Sequence, residues 1–125
     1  MKLQHDTITD KNVITGYGPG HVQVNGADYR GNLTVQPDRI EAGWTAGGFA
    51  QLSADDFATL AALGCEVLLI GTGDRQRFPT PALLRPLIEA RIGFEIMDVP
   101  AACRTYNILM GENRNVAVAL LFDPD

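Results

Sequence analysis

Apolar and polar residues alternate in short runs along the first half of the chain, a period typical of β-strands with one buried face. Residues 21–26 form the first run, which ends in Asn-Gly, a pair that favours a tight hairpin turn. Residues 29–35 resume the strand pattern, and a third strand at residues 40–44 follows a proline-containing turn at residues 36–39. These runs predict an antiparallel meander.

The second half of the chain changes to the helical period. Ser53 with an acid three residues later predicts one helix start, and Thr80 before Pro81 predicts a second. A third helix is expected from Asp98 to about Met110. Apolar strands separate and follow these helices, at residues 66–70, 94–97 and 116–122. Because crossovers of this kind are right-handed, the order predicts a three-stranded parallel sheet with helices on its faces.

The expected fold class is therefore α/β: a three-layer single domain with a central parallel sheet, its helices, and a second, N-terminal antiparallel sheet. The composition agrees, since 125 residues that are 46% hydrophobic and 20% charged are typical of one globular domain. We assign residues 1–125 to this single domain, with residues 1–16 as an extended N-terminal segment.

Charge and hydropathy exclude several kinds of partner. The net charge of -5 argues against nucleic acid, because neutralising phosphates requires clustered Lys and Arg. The longest apolar run, residues 116–122, is far shorter than the roughly 18 residues of a membrane-spanning helix, so the protein is not expected to be membrane-embedded. Residues 1–11 contain no apolar segment typical of a signal peptide, and we predict a cytoplasmic location.

Few residues in the chain could carry catalysis or hold a metal. Ser53 is the only serine, and helix capping already explains it. His5 and His21 belong to no metal-binding pair, and Cys65 and Cys103 lie too far apart in sequence for a Cys-x-x-Cys motif. We therefore predict no metal, no cofactor and no disulfide, and we favour a non-enzymatic role without excluding an enzyme.

The loop after the first predicted parallel strand is the first candidate site, because its small residues would let backbone amides face a ligand. Its candidate binding residues are Gly71, Thr72, Gly73, Arg75 and Arg77. In open parallel sheets ligands collect at the carboxyl ends of strands, where Asp98 and the start of the third helix are also expected. The alternative interpretation is a tight turn at the exit of the strand. The loop matches neither a phosphate-binding nor a dinucleotide-binding motif.

The third helix carries the second candidate site. Arg104 and Asn107 share one stripe, where a guanidinium and an amide could grip an anion or a partner's backbone. Tyr106 is a further candidate, although its spacing is first that of a buried face. Cys103 could be a reactive thiol near the helix start, or simply a buried one. A third interpretation has Arg104 in a structural ion pair with Asp98 or Glu112.

Several segments together resemble a known family. They are the motifs at residues 69–73, 76–79, 93–98, 101–109 and 112–114. The chain resembles, over roughly residues 17–122, a small, largely uncharacterised α/β domain family that includes mitochondrial complex I assembly factor three. That resemblance implies a three-layer fold and no established catalytic reaction, and it implies work through protein contacts. The family pattern commonly has Thr where this chain has Val99-Pro100.

Two functions follow as hypotheses. The first is a non-enzymatic binding or assembly module, which recognises a protein partner through residues 71–77 and the stripe of Arg104. The alternative is a protein that binds a small molecule or anion, with loop amides and arginines as donors. A pocket of roughly 300 Å³ or more at the strand ends would favour the small molecule. A flat apolar patch exposing Trp44, Phe49 or Phe78 would favour the partner.

Overall fold

A computed structural model describes residues 11–123 and contains two β-sheets. The smaller sheet is antiparallel and holds three strands, β1 (Ile14–Gly18), β2 (His21–Val24) and β3 (Ala27–Arg30). Strand β1 begins at Ile14, within the segment predicted to be extended, residues 1–16. The first ten residues of that segment, with the expected absence of a signal peptide, lie outside the described residues.

The single strand predicted at residues 29–35 is wrong, because the chain turns at Gly31 and Asn32 and enters a second sheet. Gly31 adopts a φ of 87°, which favours glycine. The Asn32 side-chain amide donates to the carbonyl oxygens of Thr45 and Gly47 at 3.0 and 2.8 Å. Its Oδ1 accepts from the Phe122 N–H at 2.8 Å. This turn therefore joins the two sheets. Strand periodicity predicts neither the turn at Gly31 nor the hydrogen bonds of Asn32.

The larger sheet has five strands in the order β5-β4-β8-β6-β7. Its strands are β4 (Leu33–Gln36), β5 (Arg39–Ala42), β6 (Val67–Thr72), β7 (Gly93–Met97) and β8 (Val116–Leu121). The parallel arrangement predicted for the last three is confirmed, since β6 pairs in parallel with both β7 and β8. The prediction missed that β4 pairs antiparallel with β8 and extends the sheet. This pairing covers a sheet edge that would otherwise expose backbone groups.

Three α-helices connect the strands: α1 (Ala54–Ala61), α2 (Arg85–Glu89) and α3 (Val99–Gly111). Ser53 and Asp56 form the predicted capping box at the start of α1. The helical start predicted at Thr80 is confirmed, since Thr80 is the N-cap before Pro81, but the first turn, Pro81–Leu84, is a 3-10 helix and the α-helix α2 begins only at Arg85. Pro86 explains the break: its ring would clash with a preceding carbonyl inside a continuous helix, whereas the first turn of α2 tolerates it.

The five-stranded sheet is the middle of three layers, as predicted. One face packs against α1 and α2 through a core that includes Phe57 and Leu87. The other face packs against α3 and the three-stranded sheet, with Tyr106 and Val22 in that core. All of β8 is buried, because successive side chains of this central strand point into the two cores in turn.

Within residues 11–123, no helix is long and apolar enough to cross a lipid bilayer.

Candidate functional site

The carboxyl ends of the three parallel strands meet at one edge of the larger sheet. Gly71 of β6 pairs with Met97 of β7 and with Leu120 of β8, so all three strands end at the same level. The loop after β6 and the start of α3 both follow this edge directly. The structure therefore brings residues 71–77 together with Asp98, as predicted, whereas Arg104 and Asn107 lie further along α3.

Gly71 serves the packing of α3 on the sheet. A Cβ at this position would lie 3.1 Å from the Val99 Cα and 3.2 Å from the Ala102 Cβ. Such distances are too short for an ordinary side chain, so the glycine allows the helix to cross β6 closely. Gly73 has a φ of 87° and turns the chain away from the strand, and its carbonyl accepts from the Val99 N–H at 2.8 Å.

Thr72 uses its hydroxyl to shape the loop. The side chain is fully buried, and its Oγ1 lies 2.8 Å from the Arg75 carbonyl oxygen, to which it donates. The Thr72 Oγ1 also accepts a hydrogen bond from the Arg77 N–H at 2.9 Å. These bonds hold a tight turn, which was the alternative interpretation of the loop, and they leave the Thr72 hydroxyl no exposed face for a ligand.

Arg77 ties the loop to the end of the chain. Its Nε and Nη2 donate to the Thr72 carbonyl at 3.2 and 2.8 Å, and its Nη1 lies 2.8 Å from Asp123 Oδ2. The guanidinium also stacks 4.6 Å from the centre of the Phe49 ring. Arg77 was predicted as a donor for an acidic ligand, but its guanidinium is engaged within the protein. Arg75 is exposed nearby.

Asp123 is the acceptor of this cluster and remains ionised. The Phe49 N–H donates to its Oδ1 at 2.9 Å. That hydrogen bond is the largest cause holding the pKa of Asp123 below its usual value, and the hydrogen bond and charge of Arg77 add to it. Sequence reasoning missed Asp123, because nothing near position 123 indicates that Arg77 will reach it.

The first amides of α3 are all occupied. The Val99 N–H donates to Gly73, Pro100 has no N–H, and the Ala101 N–H donates to Asp98 Oδ1 at 2.8 Å. Asp98 is therefore the N-cap of α3. The anion-binding interpretation used loop amides and arginines as donors, with the start of α3 at the same edge. The helix directs its own first amides inward, to its cap and to the neighbouring loop.

Arg104 lies exposed on α3 and donates through Nη1 to the Tyr17 hydroxyl of β1 at 3.2 Å. Among residues 11–123, it forms no ion pair with Asp98 or Glu112, so the structural ion pair proposed as a third interpretation is wrong. Arg104 instead supports Tyr17, whose ring is 42% exposed.

Tyr106 and Asn107 fasten β1 to α3. The buried Tyr106 hydroxyl donates to the Asn12 carbonyl at 2.8 Å, and burial raises the pKa of this phenol. Asn107 donates through Nδ2 to the Ile14 carbonyl at 2.7 Å and accepts from the Ile14 N–H at 2.9 Å. Both side chains are thus committed to the fold. Beside them, burial raises the pKa of Cys103 to about 12, which keeps this thiol neutral near pH 7.

A depression of about 490 Å³ opens at the strand ends, and we call it the first depression. Its walls are the β1–β2 turn at residues 17–20, Gly73 and Asp74, Val99 and Pro100, and Phe122 with Asp123. Of the predicted site residues only Gly73 lines it. The Gly-Pro-Gly sequence at residues 18–20 was a signal for a turn, but only the packing of the two sheets carries that turn to the strand ends.

A second depression, of about 560 Å³, lies beside the first and shares Gly20, Phe122 and Asp123 with it. Its other walls are Arg30 to Asn32 and the loop that follows β5. Together the two depressions form a concave surface that crosses Phe122.

The flat patch of exposed Trp44, Phe49 or Phe78 that would favour a partner is not formed. Trp44 is buried, and its Nε1 donates to the Leu120 carbonyl at 3.0 Å. Phe49 is half-buried under Arg77, and only Phe78 is well exposed, at 66%. Apolar surface for a partner therefore lies in the depressions and at separate residues.

No group of three or more His, Cys, Asp or Glu residues that could hold a metal ion occurs in the part of the chain that the structure describes, residues 11–123.

Comparison with known proteins identifies the family. The model of the family described as "Protein of unknown function (DUF498/DUF598)" matches residues 14–121. The chain belongs to this family. The match begins with the first residue of β1 and ends with the last residue of β8, so the family domain contains both sheets and all three helices.

Named relatives and solved structures agree with this assignment. The chain is 33% identical over 114 residues to "NADH dehydrogenase [ubiquinone] 1 alpha subcomplex assembly factor 3" of Danio rerio, covering 90% of this chain and 65% of that relative. A crystal structure from Bordetella parapertussis is 42% identical, covers 90% of this chain and 97% of its own, and has a TM-score of 0.82. A Mth938-like domain from Bordetella pertussis is 34% identical, with coverages of 91% and 87% and a TM-score of 0.77. The family resemblance and the three-layer fold are thereby confirmed.

Proposed function

We propose that this protein is a non-catalytic, assembly-factor-like module that recognises a protein partner through the concave surface at the carboxyl ends of its parallel strands. Its kinship with the DUF498/DUF598 family, in which several relatives are named as assembly factors, supports this proposal. The chain spans about two thirds or less of the length of those relatives, so a shared role concerns the domain alone.

The lining of the first depression carries the proposal. Its apolar surface comes from Pro19, Val99, Pro100 and Phe122. The described residues that line it include no Ser, Cys, His or Lys. A general base works best with a pKa near the operating pH, whereas Asp123 has a lowered pKa and stays ionised. Such a surface suits the anchoring of a partner's side chain better than a reaction.

Binding of a small molecule is the second candidate. The first depression, at about 490 Å³, exceeds the roughly 300 Å³ at the strand ends that favours a small molecule, and Trp44, Phe49 and Phe78 form no flat patch that would favour a partner. An uncharged or cationic molecule fits better than an anion. The carboxylates of Asp74 and Asp123 line this space, while Arg77 and the first amides of α3 are engaged elsewhere. Two of the predicted binding residues therefore stay in the proposal. Gly73 lines the first depression, and Arg104 donates a hydrogen bond to Tyr17, which also lines it.

Affinity capture from the source cell's lysate tests the proposal. Wild type is compared with Arg104→Glu, which reverses charge beside Tyr17, and with Arg85→Glu, a matched reversal on the exposed start of α2. Bound proteins and small molecules released by denaturation are read by mass spectrometry. A protein retained by wild type and Arg85→Glu but lost from Arg104→Glu supports the module. A retained metabolite with no protein supports the second candidate and overturns the first.

A further inference from the structure

The two depressions lie side by side and share Gly20, Phe122 and Asp123 in their linings. At about 490 and 560 Å³, each has the size of a single small-molecule site. A small molecule would fill one depression and leave the other open. An extended polypeptide segment advances about 3.3 Å per residue, so a segment of several residues can place side chains in both depressions.

We propose that the occupant is an extended segment of the protein partner that crosses Phe122, with a basic residue at Asp74, an apolar side chain in the first depression and an acidic residue at Arg30. This inference rests on the proposed function and specifies the chemistry of its partner. The three contacts are argued in turn from the lining.

Apolar groups dominate the floor of the first depression. Val99 and Pro100 begin α3 there, Phe122 divides the two depressions, and Pro19 and the Tyr17 ring close the far wall. The Val99 and Ala101 N–H groups bond within the protein, and Pro100 has none. An anionic side chain would therefore find these two N–H groups already engaged and would face the carboxylates of Asp74 and Asp123, whereas an apolar side chain gains burial.

Asp74 of the first depression and Arg30 of the second carry opposite charges. Asp74 and Asp123 are the only charged residues among the described lining of the first depression, and Asp123 is already bonded to Phe49 and Arg77. Asp74 is exposed and forms no ion pair within residues 11–123, so its carboxylate can meet a basic residue of the partner.

Arg30 is the basic residue of the second depression. Its side chain is exposed on the edge strand β3, and it has no ion pair among residues 11–123. A segment with a basic residue at one end and an acidic residue at the other would complement both charges. Like-charged contacts disfavour the reverse orientation, so this polarity selects a direction as well as a sequence.

Selection from a random 12-residue peptide library on the immobilised full chain tests the inference. We expect the selected peptides to carry a basic residue beside an apolar one, with an acidic residue further along. Fluorescence polarisation then measures the best peptide against charge-reversed variants. Asp74→Lys and Arg30→Glu should each weaken binding about tenfold, as loss of a close charge pair does. Glu89→Lys and Arg85→Glu, exposed on α2, are matched controls and should change affinity less than about twofold.

A charge-exchanged peptide provides the decisive comparison. It should bind the double variant Asp74→Lys/Arg30→Glu better than it binds wild type. Circular dichroism confirms that each variant is folded, as expected at exposed positions. The inference would be overturned by selected peptides that show no charge preference, or by a selection that yields no peptide. Peptide affinities that neither Asp74→Lys nor Arg30→Glu changes would also overturn it.

Other occupants give different results. If a small molecule binds in one depression and no peptide competes with it there, the proposal of an extended segment is contradicted. A wild-type dimer in sedimentation that Asp74→Lys dissociates identifies a second copy of the chain instead and also contradicts it. The lysate capture with Arg104→Glu is read separately, so the partner-binding function can stand when this inference about the partner's chemistry fails.

Discussion

The loop after β6 and the middle of α3 both use polar side chains to hold other segments, but they do so over different distances along the chain. Thr72 and Arg77 bond to each other across five residues. Asn107 reaches Ile14 across 93 residues, and Tyr106 reaches Asn12 across 94. The loop is thus shaped mainly by bonds between its own residues, although Arg77 also pairs with Asp123, whereas α3 joins the two sheets. Damage to α3 should destabilise the whole domain, and damage to the loop should remain local.

Removal of the Tyr106 ring should have the largest effect. Tyr106→Ala leaves a cavity in the core between α3 and the sheets, where the side chain is fully buried. We expect a loss of about 3–5 kcal/mol in the free energy of unfolding, measured by urea denaturation. Tyr106→Phe keeps the ring and removes only the bond to Asn12, so it should cost about 1 kcal/mol. Equal losses for both variants would place the importance in the hydroxyl instead.

Asn107→Ala should come next and should release β1. It deprives both the N–H and the carbonyl of Ile14 of their partner, at an expected cost of about 2 kcal/mol. Hydrogen exchange should show the Ile14 amide exchanging faster. Ile108→Ala is the neighbouring control, since Ile108 is 60% exposed and should cost less than about 0.5 kcal/mol. Unchanged exchange at Ile14 would show that β1 is held by the sheet alone.

Thr72→Val tests whether the loop is local. The substitution keeps the shape of the side chain but removes the acceptor of the Arg77 N–H, at an expected cost of about 1–2 kcal/mol. Exchange should accelerate at Arg77 while the Ile14 amide remains protected. Faster exchange at both positions would remove the difference between the two regions.

Lowering the pH should produce the smallest change in stability. It should act by protonating Asp123, which bonds to Arg77 and Phe49. Since the pKa of this carboxyl is lowered in the folded protein, its stabilisation is complete above the ordinary value of 3.8 and is lost as the pH falls through the folded value. The group is largely exposed, so the contribution is below about 1 kcal/mol. Urea denaturation at pH 7 and pH 3 should show Asp123→Asn less stable at pH 7 and closer to wild type at pH 3. A constant difference would exclude this origin.

Much of the fold could be predicted because its signals are local. The capping box at Ser53, the cap at Asp98 and the Asn25-Gly26 turn each depend on residues within three positions of one another. The candidate site was less predictable. The loop residues and Asp98 lie near the strand ends, whereas Arg104, Tyr106 and Asn107 lie further along α3. Thr72 and Arg77 face inward, and most of the residues that line the depressions were not predicted.

The sequence by itself determined the alternation of strands and helices in the second half of the chain and the parallel pairing of the last three strands, since periodicity, caps and crossover handedness act within short segments. Only the tertiary structure decided that the chain changes sheets at Asn32 and that the β1–β2 turn meets Phe122. Those contacts join residues about a hundred positions apart. They form because two sheets bury their apolar faces against one helix, and no local pattern records which exposed groups that packing brings together.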